Sequence, residues 1–387
     1  RKFVFHKTDK SNRILLHFGA VDQVAEVFVN GRYLGKHEGG YLPFSFDITE
    51  CVDQEDSKDT ENLLEVKVKD TLSMDYPYGK QRRARGGMWY TPVSGIWQSV
   101  WLEEVPQAYI SSLKVTADLE HVSVEVRPDG SQAENADGIS VRVTLHDGTI
   151  HTVHAEGNTA ELDMTDIRLS DGSRYQPVLW SMENPYLDRM TVTMGEDTVE
   201  SYFGLRVVEL KEVHGLPRVC LNGKPIFLNG VLDQGYFCDG IYLPAEEEEY
   251  ERDVLRMKEL GFHMLRKHIK IEPECFYYYC DVHGMLVMQD MVNSGRYSWL
   301  KDTALPTLGV YQKDIGAHLG RKKRIAFFRQ HMRETFMHLH NHPCVVAYTI
   351  FNEGWGQFES DAMYEEAKTL DSTRLYDAAS GWFPGKK

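Results

Sequence analysis

Cys344-Val345-Val346-Ala347-Tyr348-Thr349-Ile350-Phe351-Asn352-Glu353-Gly354-Trp355 is the stretch that decides the fold. An apolar run rises as a buried strand and ends on two polar residues, with Gly354 behind them to break it. A carboxyl group at the end of a buried strand packs poorly. It suits chemistry, because barrel active sites form at the carboxyl ends of parallel strands. The rival reading is a polar strand end that merely opens a loop.

Outward from this stretch the pattern alternates strand and helix from about Val207. Pro225–Leu232, Phe262–His268, Met285–Asp290, Val345–Phe351 and Arg374–Ser380 read as strands. Between them, Glu246–Leu260, Pro273–His283, Ile325–His340 and Glu359–Leu370 read as helices. Acidic residues open the first helix and Gly261 is placed to end it. Pro273 opens the second and Gly284 follows it. Repeated strand-helix units predict a parallel sheet with right-handed crossovers. Asp233, Lys267-His268, Gln289-Asp290, Asn352-Glu353 and Ser380-Gly381-Trp382 each follow an apolar strand, as a barrel mouth requires. Five strands do not close a barrel of eight. The expectation is therefore a partial (β/α)8 TIM barrel over 206–387, with an open edge through which copies of the chain self-associate as a homo-oligomer.

The first half of the chain is strand-like. Arg13–Phe18, Val24–Val29, Leu63–Lys69 and Ile96–Leu102 are short β-rich runs, and Asn30-Gly31 is a hairpin signal. Past Pro106 a second set begins, at Leu113–Thr116, Val122–Val126, Ile139–Leu145, Ala160–Met164, Met190–Met194 and Thr198–Phe203. The expected fold class is multidomain β plus α/β. A two-sheet sandwich spans 1–105, an immunoglobulin-like sandwich 106–205, and the partial barrel follows.

Composition sets limits on partners. The net charge of -15 argues against a nucleic-acid footprint, which needs a basic face. No run approaches the ~20 apolar residues of a membrane span. The six cysteines show no CxxC pair and no metal-ligand spacing, so they are expected as free thiols in a cytoplasmic protein. No phosphate-binding loop, dinucleotide fingerprint or Ser-His-Asp order is present, and no cofactor or metal is expected.

Val27-Phe28-Val29-Asn30-Gly31, Gly39-Gly40-Tyr41-Leu42-Pro43-Phe44, Ser94-Gly95-Ile96-Trp97, Phe203-Gly204-Leu205-Arg206, Leu221-Asn222-Gly223-Lys224-Pro225 and Asn352-Glu353 occur in an order that resembles glycoside hydrolase family 2. This group contains β-galactosidases, β-glucuronidases and β-mannosidases. The resemblance implies a sugar-binding jelly roll, an immunoglobulin-like domain and a TIM barrel, with retaining hydrolysis of terminal β-glycosides. It makes Glu353 the acid/base and puts Asn352 on the sugar 2-hydroxyl. Arg266 and His268 match the family's second-strand pair, although Arg266-Lys267-His268 is tighter than the usual Arg-x-x-His. The local sequence is similar to a β-galactosidase-like subgroup. A β-glucuronidase reading would need recognition of a carboxylate, and the segment that usually supplies it is absent. The family's nucleophile is a Glu on a seventh strand, so none is expected in this chain. The opening of the jelly roll is also expected to be lacking. A non-catalytic carbohydrate-binding fragment is the third reading.

Retaining hydrolysis needs two carboxyl groups about 5–5.5 Å apart, one of them a proton donor whose pKa burial and a neighbouring anion raise. Other residues carry paired readings. Asp290 binds a sugar hydroxyl, orients His268, or caps a loop. Asp233 and Asp239 contact sugar hydroxyls or serve a turn. Trp355 and Trp382 stack on a pyranose or form a buried lid. The basic run Lys80, Arg82, Arg83 and Arg85 reads as a solvated turn ahead of one that reaches the barrel mouth. His338, His340 and His342 precede the fourth strand, where helix-end capping is favoured over a metal site.

Overall fold

A computed structural model of the protein describes residues 1–52, 61–84, 86–130, 138–309, 322–353 and 355–380. Lys2–Phe3, Asn62–Lys69, Val24–Val29 and Arg32–Glu38 form one sheet, in that order. Phe44–Asp47, Arg13–Phe18 and Val100–Val105 form a second. Residues of both meet in a core that includes Ile14, Leu16, Phe18, Val27 and Val29. Val24–Val29 alternates between partly and fully buried positions, the period-2 signature of a strand with one core face. Asn30 and Gly31 take φ of 49° and 76°, and join that strand to Arg32–Glu38 as a tight hairpin.

A second sandwich sets Ala108–Ala117, His121–Gly130 and Thr159–Asp163 against Ile150–His154, Ser140–Thr144, Asp188–Met194 and Asp197–Phe203. Its core includes Val122, Val124, Val141, Val143 and Val192. Ile150–His154 was not expected as a strand. It is an edge strand whose residues are partly or fully exposed, so no apolar alternation marks it.

The last region opens with a hairpin, Val208–Val213 and Leu216–Leu221, that the sequence reading did not contain. Asn222 and Gly223, at φ 51° and 75°, turn Lys224–Pro225 back onto it. The strand expected over Pro225–Leu232 therefore starts later, as Gly230–Asp233. Met264–Lys267, Leu286–Asp290, Val345–Asn352 and Leu375–Ser380 follow, and the five strands pair in parallel in chain order. Helices Glu248–Glu259, Glu274–His283, Lys322–Leu339 and Ser360–Leu370 connect them. The first carries Glu248, Glu249 and Glu251 in its opening turn and Arg256 and Lys258 in its last, matching the helix dipole. The second ends on Gly284 in a left-handed cap, where a Cβ would meet the carbonyl of Met182 at 2.8 Å.

Candidate active site

Parallel pairing brings the carboxyl ends of the strands to one side. Leu232 pairs with Arg266, Lys267 with Gln289, and Asn352 with Ser380. Arg266 donates from Nε to Asp290 Oδ1 at 2.9 Å and from Nη2 to Asn352 Oδ1 at 3.0 Å. His268 Nδ1 is 2.8 Å from the other Asp290 oxygen. Asp290 has no exposed surface, and its two oxygens hold the arginine and the histidine. Of its readings, orientation of His268 is the one this geometry matches. The backbone N–H of Glu353 donates to the Ser380 carbonyl at 3.1 Å, which ties the strand end to the fifth strand.

Glu353 and Ile269 both follow barrel strands and both have left-handed backbone, at φ 57° and 47°. Non-glycine residues are strained there, and such strain concentrates at functional sites. The burial expected at Glu353 is not found. Its side chain is 39% exposed and pairs with Lys80 Nζ at 3.0 Å. Lys80 comes from the first sandwich and is 5% exposed, so the solvated-turn reading of the basic run fails at this residue. Its neighbour Arg82 stacks its guanidinium on the Trp89 ring, 3.4 Å from the centroid. Arg85 lies outside the described residues.

Beneath the mouth lies a charge-balanced cluster. Lys267 Nζ stands 2.7 Å from Asp233 and 2.7 Å from Glu272, while Lys270 Nζ stands 2.8 Å from Glu272. Burial alone would lower Lys267, but its two carboxylates outweigh that and raise it. Lys270 is lowered to about 8, mainly by burial. Burial would raise Asp233, yet Lys267 holds it below the ordinary carboxylate range.

Two expected residues do not join the site. Asp239 is exposed and accepts from the Gly240 and Ala245 N–H groups, so turn chemistry is its role. Trp355 is 1% exposed and is packed edge-on against Tyr78, Trp89 and Tyr297, a buried support with no face for a pyranose. Trp382 lies outside the described residues.

Sequence reasoning missed Tyr90 and Asn293. Burial, with Glu353 and Asp290 adding, pushes the Tyr90 hydroxyl well above its ordinary range, and that buried hydroxyl finds no partner within the protein. Asn293 donates from Nδ2 to the Asn352 carbonyl at 3.0 Å. Asn352 Nδ2, Trp355 Nε1 and Asn293 Oδ1 are also buried without a protein partner. Unpaired buried groups of this kind are costly, and a ligand rich in hydroxyls would satisfy them. The signal for Tyr90 was its place in Met88-Trp89-Tyr90, close after a basic run. Nothing in sequence separates it from a core aromatic.

The three histidines serve the opposite end. His342 Nδ1 is 2.6 Å from Asp281, His340 is 3.3 Å from Asp371, and His338 is 3.4 Å from Glu274. Among the described residues no group of three or more His, Cys, Asp or Glu could hold a metal ion. All six cysteines are free, and no described helix is long and apolar enough to cross a membrane.

Known proteins share this order of domains. Residues 1–106 match the profile "Glycosyl hydrolases family 2, sugar binding domain", 108–206 match "Glycosyl hydrolases family 2", and 212–382 match "Glycosyl hydrolases family 2, TIM barrel domain". A β-galactosidase of Thermoanaerobacter pseudethanolicus is 24% identical over 94% of this chain and 46% of its own length. For a β-galactosidase of Aeromonas hydrophila the figures are 29%, 94% and 34%. The chain thus spans less than half the length of these curated relatives. Among solved structures, a Ruminococcus gnavus β-glucuronidase superposes with a TM-score of 0.79 at 19% identity, covering 97% of this chain and 62% of that one. At that identity the likeness carries the fold alone.

Proposed function

The chain belongs to glycoside hydrolase family 2, and from that premise we propose that it forms the acid/base half of a retaining β-glycosidase, β-galactosidase-like in substrate. The observation that carries this is Asn352-Glu353 at the carboxyl end of a parallel barrel strand, with Arg266 bonded to Asn352 at 3.0 Å. Glu353 protonates the leaving oxygen and then takes a proton from the attacking water. Asn352 holds the sugar 2-hydroxyl, its free Nδ2 serving as donor. Asp290 fixes Arg266 and His268 at the floor of the site, and Asp233 stands at its edge through Lys267.

The nucleophile is the carboxylate of a seventh barrel strand, as the family resemblance implies; the described residues form five. The division at 105/106 and 205/206 is supported by profile boundaries at 106/108 and 206/212. A cytoplasmic setting is supported by six free thiols.

The test is a panel of nitrophenyl β-glycosides, galactoside and glucuronide included, given to the protein expressed from its complete reading frame. Turnover of the galactoside is expected, with NMR showing β product first. Preference for the glucuronide would move the substrate class. No turnover of any β-glycoside would leave a carbohydrate-binding protein and sink the enzyme reading.

A further inference from the structure

The partners in the Lys80–Glu353 contact are 273 residues apart in sequence. Lys80 Nζ stands 3.0 Å from Oε1 and 3.0 Å from Oε2, so one ammonium spans both carboxylate oxygens. The strap that carries it is fixed at several points. The Tyr78 and Gly79 N–H groups donate to the Asn293 carbonyl at 2.9 and 3.0 Å, and the Tyr78 hydroxyl donates to the Gly295 carbonyl at 3.0 Å. The Tyr90 N–H donates to the Lys80 carbonyl at 2.8 Å. Gly79 has φ +67°, and a Cβ there would come within 3.4 Å of the Ile269 carbonyl oxygen. The left-handed backbone is one that glycine adopts without strain. Asn293 also grips the strand end, through the Asn352 carbonyl. One residue thus ties the strap to the strand that ends in Glu353.

Resting on the reading of Glu353 as acid/base, we propose that Lys80 is a positioning residue, delivered by the first sandwich, that holds the ionised Glu353 carboxylate as base for the second step of hydrolysis. In that step a water O–H bond breaks and its oxygen bonds to the anomeric carbon. The proton passes to Glu353. The bond from that carbon to the nucleophilic carboxylate breaks, and its electron pair returns to the carboxylate. An ammonium across both oxygens fixes the direction in which the base faces the water. In the first step the carboxyl is protonated and neutral, and the ammonium has little to hold. Loss of Lys80 therefore falls mainly on the second step, whereas loss of Glu353 falls on both.

The experiment compares Lys80→Met, Lys80→Arg and Glu353→Gln in the protein from its complete reading frame, with and without azide. A dinitrophenyl glycoside needs little acid help, so its kcat/KM reads the first step and its kcat the second. Lys80→Met is expected to lower kcat roughly 10-fold, a part of the ~10²–10⁴-fold that a general base supplies. Its kcat/KM changes far less, KM falls as the intermediate accumulates, and azide, which needs no base, restores kcat. Lys80→Arg recovers most of kcat without azide. Lys80→Gln serves the same comparison if the Met variant does not fold. An unchanged kcat, or kcat and kcat/KM falling together without azide recovery, overturns the role of Lys80 alone. If Glu353→Gln shows no dependence on leaving group and no azide effect, the acid/base reading falls and the role of Lys80 with it.

Discussion

The two ends of the barrel sheet are both crowded with buried polar groups, and they are finished differently. At the amino end the second sandwich is locked on. Arg206 donates to the carbonyls of Pro343, Thr373 and Val345 at 2.8, 3.2 and 3.0 Å. Asp281 accepts from the Tyr202 hydroxyl and the Cys344 N–H at 2.8 Å each, besides pairing with His342. Asn341 binds the backbone of Val115 and Leu113 at 2.8 and 2.9 Å. At the carboxyl end the first sandwich docks through the strap and through Tyr41 and Trp97, which pack on Tyr242, but Tyr90, Asn352, Trp355 and Asn293 keep atoms without protein partners. Closed networks hold a joint; open ones await a ligand. The same division separates stability from catalysis in barrels generally.

The largest expected effect breaks the carboxyl end. Glu353→Gln should cost about 10²–10⁴-fold with poor leaving groups and much less with activated ones. Azide should restore part of the rate with retention of the β configuration. Kinetics across a leaving-group series checks this. The mirror change at the amino end is Arg206→Met. It strands the carbonyls of Pro343 and Thr373, each worth about 1–3 kcal/mol when left unpaired, while that of Val345 keeps Arg374 Nε at 3.0 Å. A fall of at least ~2 kcal/mol in stability is expected, read from the denaturant midpoint, with turnover per folded molecule unchanged.

A pH effect sharpens the contrast. Burial would raise the Asp371 carboxyl, but Arg374, His340 and Thr373 hold it well below the ordinary range. A carboxyl depressed in the fold adds stability above its unfolded value of ~3.9, and that stability is lost as pH falls through the depressed value. Denaturant midpoints should therefore drop below about pH 4, and Asp371→Asn should flatten that slope. The smallest effect is at Asp239, whose partners are turn N–H groups. Asp239→Asn should leave stability within about 0.5 kcal/mol and kcat/KM unchanged, by thermal melts and steady-state rates.

Much of this was legible in the sequence. Val24–Val29 and Arg13–Phe18 alternate or run apolar between turn residues, and the structure keeps those bounds. The five barrel strands follow the strand-helix period with ends moved by a few residues, most at Pro225, where a turn of Asn222 and Gly223 overrides it. The strand-end polar residues were visible because an apolar run that stops on Asn352-Glu353 has no packing reason to do so. What sequence could not give was pairing between distant segments. Lys80 looks like any lysine in a basic turn until the strap brings it to Glu353, and Asp290 shows its partners only once Arg266 and His268 are set against its two oxygens. Trp355 has the composition of a sugar platform, and only its three aromatic neighbours reveal a buried support.

The most direct measurement is a crystal structure of the protein from its complete reading frame with a non-hydrolysable β-thioglycoside. The account predicts the bridging sulfur near Glu353, the sugar 2-hydroxyl within hydrogen-bond reach of Asn352 (about 2.6–3.2 Å), and the hydroxyl of Tyr90 engaged. A sugar bound elsewhere, with Asn352 and Glu353 untouched, would contradict it.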